Sequence, residues 1–218
     1  MIVTIDGPAG AGKSTIAKLL AARLGFRFLD TGAMYRAVTV AALRRGLACE
    51  DAAGWAALAR QLEIRFAGPR VLLDGADISD AIRTSQVTAH IRYAADNPAV
   101  REHLVQLQQA IGRSGDLVTE GRDQGTVVFP HAECKVFLTA SPEERARRRV
   151  ADLQQRGETP SWADVLAQQV ARDQRDSSRT VGPLVKAADA VEVVTDGLSI
   201  DEVVERLVDL VGQRRRRN

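Results

Sequence analysis

The chain opens on a short, β-branched apolar run, Ile2–Asp6, followed by a glycine-rich turn and then by Thr15–Leu24. Apolar residues in that last segment fall at Ile16, Leu19, Leu20 and Leu24, which places them on one face of a helix. The pattern therefore predicts strand, loop and helix in succession, the opening of a βα unit. Arg27–Asp30 reads as a second strand, and Gly32–Gly46 and the Ala-rich Asp51–Gln61 read as helices. The texture then changes. Glu63–Ala67, Val71–Leu73 and the residues near Ile78 are short strand-like runs, broken by the turn signals Gly68-Pro69 and Asp74-Gly75. They predict a small antiparallel insert. Helical patterning returns over Gln86–Ala95 and over Pro98–Arg113, the second opening on a proline suited to a first helical position. Leu117–Thr119 and Lys135–Thr139 read as central strands. Ser141 with Glu144 three residues later predicts a capping box opening the helix Pro142–Arg156. The helix Trp162–Arg179 follows a Gly157–Pro160 loop, and Val191–Val194 and Ile200–Val211 supply a last strand and helix. This alternation predicts an α/β fold of three layers, a parallel central sheet with helices on both faces, plus one insert.

Composition narrows the function. Of 218 residues, 45% are apolar and 27% charged, the balance of a folded globular chain. The formal charge is +2, and Arg214–Arg217 alone turn what would be −2 into that figure. A uniform basic field for duplex nucleic acid is therefore absent, while a site for a few phosphates remains open. The basic residues are 26 arginines against four lysines, Lys13, Lys18, Lys135 and Lys186. Cys49 and Cys134 share no metal-ligand spacing, no apolar run reaches the roughly 18 residues of a membrane span, and the start lacks a signal-peptide layout. The expectation is a cytoplasmic, monomeric protein with no membrane and no nucleic-acid partner.

The chemistry begins at Gly7-Pro8-Ala9-Gly10-Ala11-Gly12-Lys13-Ser14, which satisfies GxxxxGK[ST] between a strand and a helix. Glycines let consecutive backbone N–H groups turn in around phosphate oxygens, and the helix start adds partial positive charge. Lys13 would reach the β- and γ-phosphates, Ser14 would offer its hydroxyl to Mg²⁺, and Thr15 would add a contact. The loop predicts a nucleoside triphosphate, ATP, as donor. No Asn-Lys-x-Asp base-reading motif is present, which turns the choice from GTPases toward small-molecule kinases.

An acceptor would then be read by arginines. Arg172, Asp176 and Arg179 fall at i, i+4 and i+7 of one helix with Arg175 beside them; the alternative is a solvated ion-pair ladder with Asp173 and Asp176. Glu120-Gly121-Arg122-Asp123 follows a strand at the sheet's carboxyl edge, where a plain ion pair is the competing account. Asp30-Thr31-Gly32 with Tyr35-Arg36 opens a helix, so capping is its simpler explanation, and Arg101 alone would pass as a surface residue.

Together these stretches resemble the bacterial cytidylate kinases over nearly the whole chain. The matching segments are IDGPAGAGKST within Ile2–Thr15, LDTGAMYR at Leu29–Arg36, IRT at Ile82–Thr84 and VRE at Val100–Glu102. EGRDQGTVVFP at Glu120–Pro130, FLTASPEERARRR at Phe137–Arg149 and RDQRDSSR with VGPL over Arg172–Leu184 complete the set. The resemblance implies a P-loop nucleoside monophosphate kinase fold transferring phosphoryl from ATP, with Mg²⁺, to CMP or dCMP. It implies one kinase domain with a core at 1–61 and 98–213, an acceptor-binding insert near 62–97, a lid near 148–165 and a disordered basic tail at 214–218. It further implies that Arg101 and Asp123 read the cytosine edge, that Thr31 stands for a small hydroxyl residue, and that Arg36, Arg122 and Arg179 bind phosphate. Arg172 and Asp176 match residues near the ribose and the transferred phosphate, and some of Arg145–Arg149 would join them at the lid. Lys13, Arg122, Arg172 and Arg179 are the expected catalytic set. One departure stands out: Arg92 occupies the place of a base-contacting serine. A kinase for another nucleotide or a shikimate-like acid, or an ATP-binding module touching RNA through Arg214–Arg217, are the rival accounts.

Overall fold

The structure is a computed structural model that describes residues 1–155 and 157–216. It divides into two compact units, one built of Met1–Leu29 with Ser114–Asn218 and the other of Asp30–Arg113.

In the first unit the strands β1 (Ile2–Asp6), β2 (Arg27–Asp30), β6 (Leu117–Gly121), β7 (Cys134–Thr139) and β8 (Val191–Val194) form one sheet in the order β2-β6-β1-β7-β8. β1 runs parallel to both β6 and β7, and β7 parallel to β8. The expected parallel sheet with helices on both faces is the fold observed. β1 is buried on both faces from Val3 to Asp6, as central parallel strands are. Its alternation divides two environments. Val3 and Ile5 join Ile16 and Leu20 of α1 (Lys13–Leu24) and Val203, Val204 and Leu207 of α8 (Ile200–Arg215) in the main apolar core. Thr4 and Asp6 face the other way, toward a π-helical turn at Gln124–Val128.

α6 (Pro142–Gln155) and α7 (Trp162–Ser178) pack on each other in this unit. Half of the capping box expected at Ser141 forms. Ser141 Oγ accepts from Glu144 N at 3.3 Å, but Glu144 turns its carboxylate to Arg147 and Arg148, and Asp196 takes the Ser141 N–H instead. The complete box is the one at Ser199–Glu202, which opens α8. The expected tail also differs. α8 runs through Arg215, because Arg215 lies over the Phe26 ring at 5.9 Å and Arg214–Arg215 suit a helix carboxyl end. Arg217 and Asn218 lie outside the described residues.

The second unit contains α2 (Thr31–Arg44), α3 (Ala52–Gln61), α4 (Ser85–Ala95) and α5 (Pro98–Gly112). Between α3 and α4 stands the antiparallel sheet of β3 (Ile64–Ala67), β4 (Arg70–Leu73) and β5 (Ala76–Asp77), turning where the Gly-Pro and Asp-Gly pairs predicted. This unit has its own core, with Trp55, Ile78 and Leu104 essentially sealed from solvent. Asn97 caps α5 through the amides of Ala99 and Val100.

Leu207 is fully buried and Ile200 is half exposed on the same helix. Leu207→Ala is expected to cost about 2–5 kcal/mol and Ile200→Ala under about 0.5 kcal/mol, read from urea midpoints at matched m-values. Equal losses would contradict the placement of α8.

Candidate functional site

The glycine-rich loop leaves β1 and turns into α1. Gly7, Gly10 and Gly12 have φ of 150°, 81° and 86°, values that side-chain-bearing residues rarely adopt. At Gly7 a Cβ would lie 1.9 Å from the Leu138 carbonyl oxygen of β7, so the loop can follow this path only with glycine there. Gly12 precedes α1, whose amino end carries no side-chain cap and no acidic residue in its first turn. The loop thus presents a glycine cradle and an uncapped helix start, which fits a polyphosphate.

Lys13 is buried and donates from Nζ to the Pro8 carbonyl at 2.7 Å, curled over its own loop. Burial lowers its ammonium to about 7; the charges of Arg122 and Arg172 push the same way, against Glu120 and Asp6. Ser14 Oγ donates to Glu120 Oε1 at 2.6 Å. Among the described residues no group of three or more His, Cys, Asp or Glu side chains is placed to hold a metal. The pair of a hydroxyl and a carboxylate fits Mg²⁺ nonetheless, because that ion keeps several waters and takes phosphate oxygens as ligands.

Asp6 closes β1 and stands opposite Gly121 in the β1–β6 register. Its two carboxylate oxygens accept the N–H groups of Gln124 and Gly125, at 2.8 and 2.7 Å. Burial raises its carboxyl to about 6; the two amides lower it, and Asp123 raises it further against Lys13. A Cβ at Gly125 would come 2.9 Å from Thr4 Oγ1, so this turn seats closely on β1. Asp123 is buried, and its backbone carbonyl accepts from Val127 and Val128.

Arg122, Asp176 and Arg179 form a charged chain. Asp176 Oδ2 accepts from Arg122 Nε at 2.9 Å and its Oδ1 lies 2.6 Å from an Arg179 nitrogen. Burial alone would raise the Asp176 carboxyl, but Arg122, Arg179 and Arg172 together hold it below the usual carboxylate range. Arg179 sits one residue past the end of α7 with an extended ψ of 139°, so it reaches Asp176 from the helix end and not as a third step of a helical stripe. Arg172 is half-buried, whereas Arg175 is exposed.

Two arginines of the segment 145–149, some of which are expected at a lid, bond protein groups. Arg145 bonds the carbonyls of Ala140 and Ala9, and Arg148 bonds Glu144 together with the hydroxyl and carbonyl of Thr195. Asp6 and Asp173 were not singled out from the sequence as functional candidates. The available signal for Asp6 was a charged residue closing an otherwise apolar, fully buried strand.

The remaining candidates belong to the second unit. Thr31 is buried in the first turn of α2, where Asp30 caps the helix by accepting from Ala33 N at 2.9 Å. Arg36 Nη1 donates to the Ile82 carbonyl and to Thr88 Oγ1, at 3.0 and 2.9 Å. Arg101, 3% exposed, donates to the Ala95 carbonyl and lies 5.5 Å from the centre of the Tyr35 ring. Arg92 is exposed and stacks over Tyr93 at 4.7 Å, bonding its hydroxyl at 2.6 Å.

Comparison with known proteins shows the family. A family model described as "Cytidylate kinase" matches residues 3–213. The chain is 54% identical over 211 residues to the cytidylate kinase of Rhodopirellula baltica, covering 97% of this chain and 92% of that protein. It is 49% identical over 213 residues to the bifunctional pantoate ligase/cytidylate kinase of Trichodesmium erythraeum. That match takes in 96% of this chain and 40% of the longer relative, so the chain spans only part of such fused proteins. Among solved structures, a shikimate kinase from Bacteroides thetaiotaomicron is similar with a TM-score of 0.52 at 14% identity, covering 97% and 98% of the two chains, a likeness of fold. No helix among the described residues is long and apolar enough to cross a membrane.

The lowered ammonium of Lys13 has a measurable sign. Above pH 7 the buried side chain is mostly neutral, and bound phosphates favour its charged form, so binding a magnesium triphosphate is expected to take up protons. Affinity should fall as pH rises through about 7. Calorimetry at pH 8 in two buffers of different ionisation enthalpy reads the uptake directly; proton release there would contradict it.

Proposed function

The chain belongs to the cytidylate kinase family, and on that premise we propose that it transfers the γ-phosphoryl group of ATP to CMP or dCMP, yielding ADP and CDP or dCDP in pyrimidine nucleotide metabolism. The observation that carries the proposal is the pairing, within one unit, of the glycine cradle around Lys13 with the Asp176-bridged arginines Arg122 and Arg179.

Phosphoryl transfer asks for alignment and for fixed cations more than for covalent chemistry. Donor binding is assigned to Gly7, Pro8, Ala9, Gly10, Ala11, Gly12, Lys13, Ser14 and Thr15, whose amides and ammonium would grip the β- and γ-phosphates. Mg²⁺, held by Ser14 with Glu120 acting through water, would supply charge neutralisation on those phosphates. Lys13, Arg122, Arg172 and Arg179 are assigned to the charge on the transferred group. Asp176 bonds both Arg122 and Arg179 and so keeps the two guanidinium groups at fixed spacing. Acceptor recognition is assigned to Thr31, Arg36 and Arg101 of the second unit and to Arg122, Asp123, Arg172, Asp176 and Arg179 of the first. No general base is required, because the attacking phosphate is already ionised. The segment near 148–165 is assigned as a lid, whose closure would exclude water and suppress ATP hydrolysis. We place the protein in the cytoplasm as a monomer without nucleic-acid or membrane partners.

Asp123 would distinguish cytosine from uracil, since a carboxylate accepts from the exocyclic amine and repels a carbonyl. A coupled ADP assay across CMP, dCMP, UMP, AMP and shikimate tests the whole proposal. CMP and dCMP should turn over at least about tenfold faster than the rest, and Asp123→Asn should narrow the CMP-to-UMP ratio by about tenfold or more. Preference for another acceptor would overturn the proposal, and an unchanged ratio would remove Asp123 from base reading.

Arg179→Ala is expected to lower kcat by about 100-fold or more while ATP affinity changes less than about threefold, because its charge is assigned to the transition state and not to the bound donor. Stopped-flow binding beside steady-state turnover separates the two. Near-normal turnover would remove the Asp176-bridged pair from the mechanism.

A further inference from the structure

Arg145 is itself assigned to no substrate, yet it is 3% exposed. Its Nε donates to the Ala140 carbonyl at 3.0 Å, and its Nη1 donates to the Ala9 carbonyl of the phosphate loop at 2.9 Å. The same Nη1 lies 2.6 Å from Asp173 Oδ2 on α7. Gln169, one turn before Asp173, donates from Nε2 to the Arg145 carbonyl at 3.2 Å. A Cβ at Gly10 would meet that Nε2 at 3.1 Å and Arg145 Cβ at 3.3 Å. α6 and α7 thus converge on the loop backbone at Ala9–Gly10.

Asp173 is the informative member. Its Oδ1 is buried with no hydrogen-bond partner among the described residues, so its one described contact is the Arg145 guanidinium. Asp173 also follows Arg172 directly and precedes Asp176 by three residues, on the helix that carries the acceptor-side charges. An apolar contact would hold α7 near the loop without fixing its position along the helix axis. A charge-assisted bond to a loop-bound arginine fixes that position.

We infer that Asp173 and Arg145 are positioning residues for phosphoryl transfer, which tie the Ala9 carbonyl of the donor loop to the helix bearing Arg172 and Asp176. Donor phosphates and the arginine chain then keep one alignment, and small misplacements of such groups are costly to turnover. The inference rests on the kinase activity proposed above.

The test uses the full chain, wild type beside Asp173→Asn, Arg145→Lys and the double variant, with two readouts. The first is amide hydrogen exchange of Gly10–Lys13 in the ligand-free protein, and the second is kcat and KM with ATP and CMP. For each single variant, exchange in the loop should quicken by about tenfold while β1 and β6 keep their protection, and kcat should fall about tenfold with the KM for CMP within about threefold. The double variant should lose no more than the worse single one, because the pair acts as a unit. Exchange and kcat both within threefold of wild type, multiplying losses in the double variant, or protection lost evenly across the unit would each overturn the inference. If Asp173→Asn does not fold, Asp173→Glu carries the same two measurements, and failure of both to fold assigns the pair a purely structural role. A wild type that phosphorylates no CMP sinks the kinase proposal alone, since loop exchange still judges the coupling.

Discussion

The cationic side chains Lys13, Arg122, Arg145, Arg172 and Arg179 are wholly or partly buried in one unit that must also stay folded. Two like charges about 4 Å apart cost roughly 4 kcal/mol at an effective dielectric near 20. Lys13 registers that cost, since burial and its arginine neighbours depress its ammonium to about 7. The chain meets the constraint by interleaving carboxylates. Asp6 and Glu120 oppose the depression at Lys13, Asp173 pairs with Arg145, and Asp176 takes Arg122 and Arg179 together. Along α7 and its end the signs run positive, negative, negative, positive at 172, 173, 176 and 179, and each acidic residue faces a cation from outside the helix.

Such pairs add little net stability once desolvation is counted, and breaking one is worse than never having it. Stability has to come from elsewhere, and β1 shows how the two demands are kept apart. Its Val3 and Ile5 serve the apolar core with Leu20 and Leu207, while Thr4 and Asp6 on the opposite face receive the turn after β6. Gly125 permits the close approach, and Asp6 converts it into two hydrogen bonds from backbone amides. The positions of Arg122 and Asp123 therefore descend from one buried carboxylate at the end of a strand.

What could be read from the sequence follows the range of each interaction. The glycine loop was legible because its requirements are local: positive φ at Gly10 and Gly12, and a strand before and helix after. The antiparallel insert was legible from its turn residues for the same reason. Helical spacing alone was a poorer guide to α7, since it grouped Arg175 with Arg172 and treated Arg179 as a further turn of helix, where the helix had already ended. Spacing fixes the face of a helix, and the neighbours determine which face is buried. The contacts of Arg145 and Arg148 were out of reach of any local pattern, because their partners Ala9, Asp173 and Thr195 lie 136, 28 and 47 positions away. The tail was misjudged because Arg215 finds an aromatic ring, Phe26, far back in the chain between α1 and β2.

Arg92 poses the remaining question, standing where the resemblance places a serine that contacts the base. Its guanidinium is held on its own helix surface, stacked over Tyr93 and bonded to the Tyr93 hydroxyl. A side chain so engaged supplies no hydroxyl to a nucleobase, so one attractive contact is missing from the proposed acceptor set. Discrimination, however, depends on the difference between two ligands, and a repulsive element contributes to that difference as well as an attractive one. On the proposed assignment Asp123, buried at 4% exposure, would present to cytosine an acceptor for its amine and to uracil an acceptor against a carbonyl. Loss of a neutral hydroxyl weakens both bases by a similar amount, whereas loss of the carboxylate would erase the contrast. On the proposed assignment the arginine at 92 therefore costs affinity more than it costs selectivity.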